Sequence, residues 1–166
     1  MRDMTLADLH GESGEEHWLT YYDGFRRRVF VTQREVPFPE GKLIVSRTDP
    51  SGVITHANQA FVDMSGYSED ELVGEQHYIL RHPDMPAVAF KGLWDTISQG
   101  KKWHGYVKNL RKDGAFYWVY ATVVPNIRDG RIVSYTSVRR KPSRRKIEEM
   151  AALYKSLLQE EQGNRQ

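Results

Sequence analysis

Arg81-His82-Pro83-Asp84-Met85-Pro86 brings a guanidinium, an imidazole and a carboxylate together around two prolines, directly ahead of a helix pattern. Such a junction can hold an anionic group, because oriented backbone N–H groups at a helix start act together with an arginine fork. The second proline suits the first turn, where a missing N–H costs little, and Asp84 is placed to cap the helix. An ordinary helix start with surface charges explains the same residues equally well. Elsewhere the chain is poor in reactive groupings. No carboxylate–histidine–nucleophile spacing is visible, and the six histidines make no tight metal-ligand spacing with acids. Neither a G-x-G-x-x-G run nor a P-loop occurs. Cysteine is absent, which removes disulfides, thiolate metal sites, thiol nucleophiles and cysteinyl–flavin photochemistry. These residues point to binding rather than to catalysis, and no enzyme activity is expected.

The elements that must position this run follow from turn chemistry. Leu43 to Arg47 and Val53 to His56 are strand-like and are separated by Asp49-Pro50-Ser51-Gly52, a strong turn signal. A short helix from Asn58 to Met64 ends near Gly66, and Ser68-Glu69-Asp70-Glu71 is a capping box for a second short helix. Phe90, Leu93, Trp94 and Ile97 recur at helical spacing, with Gly100 placed to end the helix. Three strands follow: Trp103 to Leu110, Phe116 to Val124 and Ile132 to Val138, turned at Lys112-Asp113-Gly114 and Arg128-Asp129-Gly130. The expected fold class is α+β: a five-stranded antiparallel sheet of order 2-1-5-4-3, short helices on one face, and flanking N- and C-terminal helices.

Three regions result. Residues 1–40 read as an N-terminal cap with short helices over Thr5 to His10 and Glu15 to Tyr22. Residues 41–140 form the main domain, and 141–166 a C-terminal amphipathic helix and tail. In that helix Ile147, Met150, Tyr154 and Leu157 make a stripe suited either to packing on the sheet or to a short coiled coil with a second copy. The clusters Arg139-Arg140-Lys141 and Arg144-Arg145-Lys146 read as a solvated hinge around Pro142. A net charge of +2 gives no general electrostatic case for nucleic acid. No apolar run approaches the roughly 20 residues of a membrane span. No secretory signal opens the chain, so a cytoplasmic location is expected.

This layout resembles a PAS domain through Ile54-Thr55-His56-Ala57-Asn58, Ser65-Gly66-Tyr67, Val107-Lys108-Asn109 and Tyr117-Trp118-Val119. With Arg81 to Pro86 added, it resembles the N-terminal FAD-binding PAS domain of bacterial aerotaxis receptors, the Aer type. The resemblance implies non-covalent FAD, with FMN or haem as alternatives, and a redox- or oxygen-responsive sensor of signal transduction serving aerotaxis. It also implies that His77, Arg81, His82 and Asp84 retain the cofactor, with Asp84 positioning Arg81. Asn58 and Asn109 suit the carbonyl and N3–H edge of a flavin, because a side-chain amide both donates and accepts. An Asx-turn is the competing role for Asn58. Trp94 and Trp103 are candidates for lining the ring or the adenine, against plain core packing. Tyr117 and Trp118 must point to opposite sheet faces, and the pattern leaves open which one faces the pocket. Expected partners are a second copy of the chain, through the flanking helices, and a downstream signalling module of the chemotaxis machinery. A haem or small-molecule sensor and a cofactor-free PAS dimerisation module are the competing classes.

Overall fold

Alternation of side chains along each strand builds a sheet with two distinct faces. A computed structural model describes residues 1–163. After an N-terminal pair of strands, β1 (Glu15–Thr20) and β2 (Arg26–Val31), the main domain runs β3 (Ile44–Thr48), β4 (Ile54–Ala57), α1 (Gln59–Ser65), α2 (Glu69–Leu72), a 3-10 turn (His77–Leu80), α3 (Ala87–Ile97), β5 (Trp103–Leu110), β6 (Phe116–Arg128) and β7 (Arg131–Arg140). A C-terminal helix, α4 (Arg144–Gly163), completes the described chain. The large sheet is antiparallel with order β4-β3-β7-β6-β5. Counted from β3, that is the expected 2-1-5-4-3.

Local chemistry fixes the connections. Asp49 Oδ1 accepts from the N–H groups of Ser51 and Val53, and Gly52 takes the left-handed φ of +93° that turns β3 into β4. The reciprocal bonds of the Ser68–Glu71 capping box start α2. The inner sheet face and the short helices enclose a core that includes Ile44, Ile54, Phe61, Leu72, Leu80, Tyr117 and Val119. Tyr117 therefore faces inward and Trp118 outward, which the sequence pattern left open.

The outer face is partly covered by α4. Ile147 and Tyr154 are buried against Trp118 and Met85, with Met150 and Leu157 beside them. The Tyr154 hydroxyl donates to the Tyr106 carbonyl at 2.7 Å, and its ring stacks on Trp118. The apolar stripe of this helix is thus spent on its own domain. No helix among the described residues is long and apolar enough to cross a membrane.

The N-terminal flank differs from expectation. Leu6–Leu9 forms a 3-10 turn, but Glu15 to Tyr22 is no helix: β1 pairs with β2 as an antiparallel hairpin. The reason lies in Asp23-Gly24, where Gly24 adopts φ +86° and the Asp23 carboxylate accepts from Phe25 N–H. An Asp-Gly pair between alternating residues is a hairpin turn signal. Val29, Phe30 and Val31 of β2 bury with Met4, Leu9 and Leu110, so the hairpin is seated on the end of β5.

Candidate functional site

Inner-facing positions of three neighbouring strands build one cleft. Trp103, Val107 and Asn109 on β5, Val119, Ala121 and Val123 on β6, and Tyr135, Ser137 and Arg139 on β7 line a cavity of about 850 Å³. Phe90, Leu93, Trp94 and Ile97 of α3 form the opposite wall, together with His77, Tyr78 and Leu80 of the 3-10 turn. Thr20, Tyr21 and Tyr22, at the tip of the N-terminal hairpin, also line it. Small-molecule sites range up to about 1,000 Å³, so this cavity suits a large ligand.

The polar end of the cleft is built around Arg139. Its side chain is 2% exposed. One guanidinium nitrogen donates to Ser46 Oγ and another to His77 Nε2 at 3.1 Å, and the group lies 4.4 Å above the Phe61 ring. Its Nε has no hydrogen-bond partner, and no carboxylate pairs with it among the described residues. A buried cation without a counter-charge is costly. Burial pulls its pKa down to about 10, so the group stays charged at neutral pH. His77 must accept, and is therefore neutral; burial first and the adjacent Arg139 second lower its pKa to about 3. Asn109 is buried on the neighbouring inner face, 4% exposed. The arrangement can receive an anionic or electron-rich polar edge, with apolar walls for a flat ring.

Of the residues expected from sequence, His77, Arg81, Trp94, Trp103 and Asn109 all line this cavity. Arg81 bridges to Asn109 through the backbone, and its guanidinium lies over the Phe90 ring at 5.1 Å. The chain is extended at Arg81, so its neighbour points the other way. His82 is buried against Phe116 on the far side, where its Nδ1 accepts from Asp84 N–H at 3.0 Å. The Asp84 carboxylate binds Lys108 Nζ at 2.7 Å, not Arg81. These contacts fasten the loop across edge strand β5, which also protects that edge. His82 and Asp84 thus stand outside the cavity.

Three expectations are corrected here. Asp84 does not cap α3: the N-cap position is Pro86, and the free N–H groups of Ala87 and Val88 bind the Glu161 carboxylate from α4, at 3.1 and 2.9 Å. The anion suited to that helix start is supplied by the chain itself. Asn58 caps α1, accepting from Phe61 N–H and Val45 N–H and donating to the Leu43 carbonyl, so its amide is engaged by the backbone away from the cavity. Arg139 is no part of a solvated hinge, because β7 continues through Arg140 and turns alternate residues inward and outward. The signal for it was the alternation Tyr135, Ser137, Arg139. The hairpin tyrosines carried no comparable signal, because their place depends on a hairpin docking against distant elements.

Gly105 has its own place in the wall. A Cβ there would lie 2.3 Å from the Trp103 ring, which rests over the glycine. Gly105→Ala is expected to displace the indole and cost about 1–3 kcal/mol, as overpacking does. A lowered urea midpoint with shifted tryptophan fluorescence would show it, and an unchanged midpoint would refute it.

The PAS fold family pattern matches residues 54–139. The aerotaxis receptor of Escherichia coli (strain K12) is 44% identical over 128 residues, covering 77% of this chain and 25% of that protein. The bacterioopsin transcriptional activator of Halobacterium salinarum is 33% identical over 129 residues, covering 77% of this chain and 18% of its own length. Phototropin-2 of Oryza sativa subsp. japonica is 35% identical over 95 residues, covering 56% and 10% respectively. The chain thus spans a quarter or less of each of these relatives. The light-state structure of the blue-light photoreceptor Aureochrome1 LOV superposes with a TM-score of 0.58 at 27% identity, over 72% of this chain and 91% of that one.

Proposed function

Because the chain belongs to the PAS family and is similar in sequence to an aerotaxis receptor, we propose that it is the FAD-binding sensor of a redox- or oxygen-responsive signalling protein of the aerotaxis kind. The observation that carries this reading is the Arg139 guanidinium, buried without a carboxylate at the polar end of an otherwise largely apolar cleft. That donor set fits a flavin, whose ring has flat apolar faces and one edge of carbonyls and N–H groups. When bound, a flavin supplies reversible electron uptake, with a change of charge at that edge.

The chain's own residues have separable tasks. Arg139 stabilises negative charge at the polar end, and neutral His77 leaves that cation undivided. Asn109 offers a donor and an acceptor. Trp103, Val107 and Val119 line the cavity and would exclude water from the ring faces, and Arg81, also in the lining, would hold an anionic group of the cofactor. Arg139 also joins β7 to β3 through Ser46, so altered charge at the ring alters a contact between central strands. Such a sensor works through the differential stability of two arrangements rather than through tight binding alone. Its output goes to a chemotaxis-type signalling module on the cytoplasmic side.

The test is an absorption spectrum of the purified chain, with chromatographic identification of any released cofactor. Flavin bands and released FAD are expected. A Soret band, or colourless protein that also fails to take up added FAD, would end the reading.

A further inference from the structure

The mouth of the cleft is aromatic, and its outermost wall comes from the N-terminal hairpin. Tyr21 is already committed, stacked on Tyr78 with ring centroids 3.9 Å apart and planes 9° from parallel. Tyr22 meets the same Tyr78 ring edge-on, with centroids 5.9 Å apart, yet it lines the cavity and remains 65% exposed. Its ring is nonetheless held in place. The hydroxyl donates to the Ser51 carbonyl at 3.0 Å and lies 3.0 Å from Gln76 Oε1, tying the hairpin tip to the β3–β4 turn and to the segment before the 3-10 turn. Asp23 adds a further tie by accepting from the Tyr78 hydroxyl at 2.8 Å. Across from Tyr22 stands Trp94 of α3, with centroids 6.1 Å apart and planes inclined by 54°. Trp94 is itself set edge-on against Tyr135. The two rings form an aromatic corner at the cavity mouth, and through Tyr135 that corner stands four positions along β7 from Arg139. Arg81 and Lys91 also line the cavity. A large exposed aromatic ring tied through its hydroxyl at such a mouth is well prepared to stack on a flat partner.

We infer that the Tyr22–Trp94 corner is a nucleobase-stacking site that receives the adenine of a flavin dinucleotide, so that the N-terminal hairpin selects FAD over FMN. This rests on the flavin reading above. It assigns a ligand-selective role to a segment that lies outside the residues matched by the PAS fold family, 54–139. The chemistry is that of single bases on aromatic platforms: the π-face is recognised, and little depends on hydrogen bonding to base edges.

The experiment titrates the flavin-free 166-residue chain separately with FAD, FMN and riboflavin, in the wild type, Tyr22→Ala and Tyr22→Phe. Tyr22→Ala is expected to weaken FAD binding by about tenfold, the size of one lost base stack, while FMN and riboflavin binding stay unchanged. Tyr22→Phe keeps the ring and loses the hydroxyl ties, so FAD should still be preferred over FMN. If Tyr22→Ala weakens all three ligands equally, Tyr22 only closes the cavity and the base site is wrong. Unchanged FAD affinity in Tyr22→Ala would overturn it as well. A wild type that takes up none of the three ends the flavin reading and this one together, whereas normal flavin uptake without FAD selectivity ends this one alone.

Discussion

Replacing Arg139 by methionine is expected to leave the ligand-free domain at least as stable as the wild type while lowering the potential of bound flavin by an amount on the order of 50–100 mV. The two halves of this result have one cause. In the ligand-free chain the guanidinium is buried with no carboxylate partner, and burial already pulls its pKa down to about 10. Methionine keeps most of the apolar stem and removes the desolvated charge. Such exchanges are often neutral, or stabilising by about 1–4 kcal/mol. Against this stand the lost bonds from a charged donor to Ser46 and His77, each worth about 1.5 kcal/mol, at the low end for such bonds. In the loaded protein the same cation favours added negative charge; a unit pair about 4–5 Å apart at an effective dielectric near 20 gives about 3–4 kcal/mol. For a two-electron couple that is roughly 60–90 mV. Urea midpoints of the ligand-free protein and a dye-equilibration potential of the loaded protein check both halves. A stability loss above about 2 kcal/mol would make Arg139 a structural tie, and an unchanged potential would remove it from the ring edge.

The second large effect is acid instability that begins above the carboxylate range. His82 is 2% exposed, and its pKa is lowered to about 3 by burial first, with Lys108 adding to the effect. His77 is lowered to about 3 by burial and Arg139. A histidine depressed in the folded state favours folding while the unfolded chain is also neutral, above about pH 6.5. As pH falls from there towards 3, the unfolded chain takes up protons that the folded chain refuses, and stability drops. At pH 5 each such histidine costs about 2 kcal/mol relative to pH 7.5, so the pair costs about 4 kcal/mol. Carboxylates act later: the Arg111 and Arg34 guanidiniums and the Ala115 N–H outweigh burial and hold Asp113 at about 2, so its contribution is lost only at lower pH. Ligand-free His82→Asn should lose only half as much stability between pH 7.5 and 5 in paired urea titrations. An identical slope in variant and wild type would show that His82 is not the titrating group.

Much of the sheet was readable because its turns are chemically explicit. Asp49-Pro50-Ser51-Gly52, Lys112-Asp113-Gly114 and Arg128-Asp129-Gly130 each sit between alternating runs, and each became a connection between neighbouring strands. The N-terminal hairpin was misread because Glu15 to Tyr22 offers a plausible helix period, while Asp23-Gly24 speaks only to someone already expecting two strands. In the cleft, Asn109 was legible since a polar amide inside a strand demands a reason. Arg139 was hidden among basic neighbours, because one more turn of the strand's alternation decides whether such a residue is solvent or core. Asn58 and Asp84 had two local roles each. The competition was settled by partners remote in sequence: Leu43 and Val45 for Asn58, and Lys108 for Asp84.

The central position of β3 beside β7 sets a timetable for folding. The Ser46–Arg139 bond joins residues 93 positions apart, and the β3–β7 ladder closes a loop of similar length. Closing so long a loop is entropically expensive and tends to come late, after the local β5–β6 and β6–β7 hairpins have formed. During synthesis β3 must wait for its partner until β7 has left the ribosome. The charged end of the cleft therefore has no existence in a partly made chain. On the flavin reading, cofactor uptake would follow completion of the domain, and the free pool of cofactor at that moment would decide how fully it is loaded.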